Sequence, residues 1–156
     1  MKTEDPENDF LRIGALNELI RINNDRISGY KRAVGACADS DLLTLFNSFI
    51  QTSRLNEIEL HNLVEQIGGR PADGSTSLAG KFYRAWIDLK TELRTSTRMT
   101  VLDYCNHGDQ IALKAYFNIL DDRDFNIDNE EIIQNLHNQQ QQLILENNQL
   151  QMLKAL

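Results

Sequence analysis

A chain of 156 residues with 23 acidic and 16 basic side chains, a formal charge of −7, has the size of one domain, residues 1–156, built around one substantial core. That balance excludes nonspecific nucleic-acid binding, which needs clustered Lys and Arg against phosphate. No apolar run is long enough to span a bilayer, and the start from Met1 to Asp9 is acidic and polar where a signal peptide is basic and then apolar. The expectation is a cytoplasmic protein with neither a membrane nor a nucleic-acid partner.

Only two prolines, Pro6 and Pro71, and eight glycines suit long helices, and the fold class expected is all-α. The first helix is predicted over 10–38, with the seam Ile13, Leu16, Ile20, Asn23, Ile27, Tyr30, Val34, Cys37 in alternating steps of three and four. Asp39, Ser40 and Asp41 break the pattern and supply an N-cap for the next helix, so the two form an antiparallel hairpin. The second helix, over 41–68, has the seam Leu42, Phe46, Phe49, Ser53, Asn56, Leu60, Leu63, Ile67. It closes at Gly68, Gly69, Arg70 and Pro71, where glycine takes a left-handed cap and proline blocks extension.

The stretch that follows is too long for a tight turn. It holds a loop from Asp73 to Ser77 and a short helix over 78–93, whose stripe of Phe82, Trp86, Leu89 and Leu93 suits packing against a bundle rather than ligand recognition. A helix of about 25 residues is roughly 38 Å long, and a loop plus a short helix covers that distance. Such a crossover between the second and third long helices is ferritin-like connectivity. The third long helix, over 98–120, has the seam Leu102, Cys105, Asp109, Ala112, Tyr116, Ile119; the fourth, over 129–153, has Ile132, Leu136, Gln139, Leu143, Leu150, Leu153. Asp128 and Glu131 have capping-box spacing at its start.

Each seam turns polar near its middle, at Asn23, at Ser53 and Asn56, at Asp109, and at Gln139 and Gln142. In a four-helix bundle these positions face one axis, so they are expected in a single buried layer, with Asn23 and Asp109 opposite each other. Di-iron bundles carry a Glu from each of two helices and a Glu-x-x-His from each of the others at that layer. Five of the six residues here are neutral, and one Asp does not balance two iron ions. The layer therefore has the form of a metal site without its ligands: no metal and no cofactor are expected. His61, His107 and His137 stand beside the seams rather than on them. No nucleophile with a neighbouring His and acid, and no phosphate loop, can be drawn. Cys37 and Cys105 have no metal-ligand spacing and read either as small buried hydrophobes or as a redox or regulatory thiol. With Asn23 opposite Asp109 they sit about 15 Å apart along the axis, beyond the ~7 Å of a disulfide.

Several segments together resemble a bacterial family of ferritin-like bundles, domain of unknown function 2383: Leu16-Asn17-Glu18-Leu19-Ile20, Gly29-Tyr30, Gly68-Gly69-Arg70-Pro71, Arg84-Ala85-Trp86-Ile87-Asp88-Leu89-Lys90, and Ala112-Leu113-Lys114-Ala115-Tyr116. The resemblance runs from about Leu11 to Leu153. It implies a ferritin-like, cytoplasmic protein with no established activity, and some related bundles are linked to stress responses. It also implies an acidic Gly-Glu-Asp where this chain has Gly108-Asp109-Gln110, and an acid where it has Ile27. The reading favoured is a non-enzymatic structural or interaction protein whose partner is a second copy or another protein. The alternative is a di-iron oxidase or iron-storage relative using Asp109 with His61, His107 or His137.

Overall fold

The computed structural model describes residues 6–74, 97–123, 125 and 129–156. They form four long helices: α1 Pro6–Ala36, α2 Ser40–Gln66, α3 Arg98–Asp121 and α4 Glu130–Lys154, with no strand among the described residues. The short helix expected over 78–93, with Phe82, Trp86, Leu89 and Leu93, lies outside the described residues.

Helix boundaries follow local chemistry. α1 starts earlier than expected, at Pro6, where a fixed φ and a missing N–H suit the first helical position. Glu7 and Asp9 then complement the helix dipole. α2 ends as glycine predicts: Gly68 takes φ +81°, its N–H donates to Glu65 O at 3.0 Å, and the Gly69 N–H donates to Val64 O at 2.9 Å, a Schellman closure. A Cβ on Gly69 would lie 2.7 Å from Ile13 Cγ1. Two caps differ from expectation. Asp39 is the N-cap of α2, but its side chain makes no capping bond, because it is drawn to Arg98. At α4 the cap is Asn129, whose Oδ1 accepts from Ile132 N at 3.3 Å; the expected partner of Glu131, Asp128, lies outside the described residues.

α1 packs against α2 and α3, and α4 against α3 and, least closely, α2. Cross-helix bonds fix the directions. Arg98, at the start of α3, pairs with Asp39 and Asp41 in the α1–α2 turn, so α3 begins at the end of the bundle opposite Gly68. Arg98 also holds the Asp41 carboxyl below the usual carboxylate range. Lys154, at the end of α4, reaches Asp103 near the start of α3 at 2.7 Å. With α1 taken as rising, α2 and α3 descend and α4 rises. Beyond Gly69 the chain turns onto α1: Asn17 donates to Arg70 O and accepts from Ala72 N, and Asn24, two turns further up, donates to Gly74 O.

The apolar core lies in two blocks. One, toward the Arg98 end, includes Tyr30, Phe46, Phe49, Leu102 and Cys105; the other includes Leu16, Ile20, Leu60, Tyr116 and Leu136. The seam expectations locate most of these residues, while Ile13, Val34, Ile67, Ile119 and Leu153 at the helix ends are only half-buried. Cys37 and Cys105 are both free thiols. No described helix is long and apolar enough to cross a membrane.

Candidate functional site: a buried arginine between two carboxylates

The polar residues of the seams form two adjoining layers rather than one. The lower layer is uncharged in its buried members and meets one carboxylate, Glu59, at its edge. Asn23 Nδ2 donates to Leu19 O at 2.9 Å and to the Tyr116 hydroxyl at 2.8 Å; that hydroxyl in turn donates to Gln139 Oε1 at 2.7 Å. Asn56 Nδ2 donates to Asn23 Oδ1 at 3.3 Å, and Gln139 Nε2 to Glu59 Oε2 at 2.9 Å. All four helices contribute, and Asn23, Asn56, Tyr116 and Gln139 are buried.

The upper layer is charged, and its centre is Arg26. Arg26 is 0% exposed. Its Nε donates to Asp109 Oδ1 at 2.9 Å on α3, its Nη2 to Glu146 Oε1 at 2.9 Å on α4, and its Nη1 to Ser53 Oγ at 3.0 Å and Phe49 O at 3.3 Å on α2. The guanidinium also lies 4.9 Å from the Tyr30 ring centroid and 5.4 Å from that of Phe49, so aromatic faces help to stabilise the charge. Both carboxylates receive further donors. The Tyr30 hydroxyl donates to Asp109 Oδ2 at 2.8 Å and Asn147 reaches the same oxygen at 3.5 Å; Thr52 and Gln142 donate to Glu146 Oε2 at 2.7 and 3.1 Å.

Burial alone would lower the arginine pKa, but Asp109, Tyr30 and Glu146 more than offset it, and Arg26 stays charged beyond its ordinary range. Burial pushes the Tyr30 hydroxyl well up, with Asp109 adding to the shift. Burial raises Tyr116 too, opposed in part by the hydrogen bond from Asn23. The Cys105 thiol, nine-tenths or more enclosed and one turn from Asp109, is likewise pushed up.

These directions set an alkaline limit on stability. A tyrosine whose folded pKa exceeds its unfolded value of about 10 holds its proton in the native state after the unfolded chain has lost it, so stability falls as pH rises above that value. Each such group contributes a slope of up to about 1.4 kcal/mol per pH unit. Urea unfolding between pH 9 and 11 should therefore show falling stability above about pH 10, with a shallower fall in Tyr116→Phe. An unchanged slope in that variant would contradict the placement of Tyr116.

Of the six positions expected in one layer, Asn23, Ser53, Asn56, Asp109 and Gln139 are buried, and Gln142 is exposed at the rim, reaching inward only to Glu146. Asn23 does not face Asp109. Asn23 meets Tyr116, seven residues further along α3, while Asp109 sits beside Arg26 and Tyr30; this is a displacement of roughly 10 Å. The shift also shortens the axial gap expected between Cys37 and Cys105. His61 is half-buried, and His107 and His137 are exposed. Among the described residues, no three His, Cys, Asp or Glu side chains are grouped as a metal would need.

Two functional residues escape the seam reading. Glu146 fills the gap between Leu143 and Leu150 in the heptad pattern of α4, so an unbroken step count would have found a charge facing inward. Arg26 lies on a second inward track of α1 through Leu19, Ile22 and Ala33, all buried; that track becomes visible only when two of its neighbours pack on α1.

A family model described as Domain of unknown function (DUF2383) matches residues 12–122, more than two-thirds of the chain. The chain belongs to that family. The DUF2383 match spans α2, α3 and all but the first turns of α1. It therefore contains Arg26, Tyr30, Ser53 and Asp109, whereas Gln139 and Glu146 lie beyond it. No curated protein and no solved structure matches the chain.

Proposed function

We propose that this chain is a non-enzymatic, ferritin-like bundle that acts through association with protein, and that Arg26 takes the place a metal would hold in a di-metal relative. The observation that carries this reading is the guanidinium set between Asp109 and Glu146, each at 2.9 Å. One fixed internal cation balances half of the paired carboxylate charge, and Tyr30, Thr52, Gln142 and Asn147 satisfy the remaining lone pairs. The chemistry left to such a centre is small: arginine does not cycle in redox state, and its proton is not released near neutral pH.

The ferritin-like assignment rests on helix direction. α2 and α3 run parallel, with the end of one and the start of the other at opposite ends of the bundle, and this supports the reading as a one-crossover bundle. The stress-linked setting enters from the family resemblance alone.

Metal analysis of protein purified from cells supplemented with iron and manganese tests the reading. Background metal only, unchanged by Asp109→Asn, is expected. Stoichiometric iron or manganese that is lost in Asp109→Asn would overturn it.

A further inference from the structure

The helices present unlike surfaces to solvent. On α4 the outward positions recur in steps of four and three as Gln134, Asn138, Gln141, Leu145, Asn148 and Met152; all are exposed and none is charged. α2 repeats this with Gln51, Leu55, Ile58 and Asn62, again all exposed. Leu55, Ile58 and Leu145 are each 59% exposed and Met152 70%. The outward positions of α3 include Asp103, Lys114 and Asp121, and α1 carries the 70–74 segment on Asn17 and Asn24.

α2 and α4 are neighbours, so the two uncharged stripes form one panel. The bonds from Thr52 to Glu146 and from Gln139 to Glu59 set residue 55 level with about residue 143, which brings Leu55 and Leu145 to within about 3 Å in height. Glu59 lies in the seam between the two stripes, bonded to Gln139, and Arg54 and Glu65 border the stripe of α2. Single exposed leucines are ordinary. Four large apolar side chains on two stripes that themselves carry no charge, in a chain that is 25% charged, have the composition of an interface core, where Lys, Glu and Asp are depleted.

Electrostatics and area select the occupant. Two molecules each carrying −7 repel, and the face whose stripes carry no charge, with Glu59 held by Gln139 between them, is where they can meet. Asn and Gln both donate and accept, so a twofold contact, in which residue i meets j and j meets i, satisfies itself. A strongly basic or acidic partner would find no complement there. The two stripes run roughly 17 Å on α2 and 27 Å on α4, each about 10 Å wide, and offer about 440 Å² a side, the size of a small, weak interface.

We infer that the α2–α4 face is a twofold interface between two copies of this chain. The inference rests on the association reading above and names its partner. Light scattering on gel-filtered protein, from micromolar to submillimolar, should give twice the 17.9 kDa chain mass. The double variant Leu55→Glu/Leu145→Glu should lose the dimer while keeping its helical circular dichroism, and its thermal midpoint should no longer rise with protein concentration as the parent's does. Phe117→Glu, on the exposed side of α3, should leave the dimer intact. A parent that stays monomeric throughout, or a dimer that survives the double variant, overturns the interface. Because metal content is measured separately, a monomeric, metal-free parent would overturn this interface and leave the association reading standing.

Discussion

Arg26→Met should unfold about 3–5 kcal/mol more easily than the parent, because removing the cation leaves Asp109 and Glu146 buried and uncompensated. For a chain of this size that is a fall of roughly 10 °C or more in thermal midpoint. The combined variant identifies the cause. The combined change Arg26→Met/Asp109→Leu/Glu146→Met should restore or exceed parental stability, since well-packed apolar replacements of a buried ion cluster are often neutral or better. Urea and thermal melts of the single and combined variants decide the matter. A combined variant no more stable than the single one would show that the loss is one of packing and not of charge.

Phe49→Ala should cost a similar amount, about 3–5 kcal/mol, for a different reason. Phe49 is 1% exposed, its ring lies edge-on to Tyr30 at 5.4 Å and close to the Arg26 guanidinium, and its carbonyl accepts from Arg26 Nη1. Truncation leaves a cavity beside the charge that the ring helps to exclude from water. Phe49→Leu keeps most of the volume without the π face, so the difference between the two variants in denaturant melts separates cavity from cation–π contributions. If Phe49→Leu proved as costly as Phe49→Ala, the shape of the ring rather than its volume would dominate.

Most of the fold was legible because apolar spacing has one structural meaning in a long helix. The seams through Leu16, Ile20 and Ile27, through Leu42, Phe46 and Phe49, and through Ile132, Leu136 and Leu143 are buried in the bundle, and Gly68-Gly69 close α2 as glycine chemistry requires. That the seams carry a polar interior at Asn23, Ser53, Asn56, Asp109 and Gln139 was legible as well. Their pairing was not. A heptad pattern looks alike after a slide of seven residues, so nothing in the apolar spacing distinguishes Asp109 from Tyr116 as the residue opposite Asn23. Arg26 was unreadable for a further reason: charged side chains are ordinarily assigned to solvent, and its burial depends on two carboxylates brought from 83 and 120 residues away.

Those separations also bear on how the bundle is reached in time. The α1–α2 and α3–α4 hairpins are local and can form early, whereas the Arg26 pairs join the two hairpins, so most of their favourable energy arrives after the main barrier. An interaction absent from the transition state slows escape from the native state more than it speeds arrival. The buried cluster is therefore expected to act as a latch on a finished molecule, with Arg26→Met raising the unfolding rate more than it lowers the folding rate in stopped-flow kinetics.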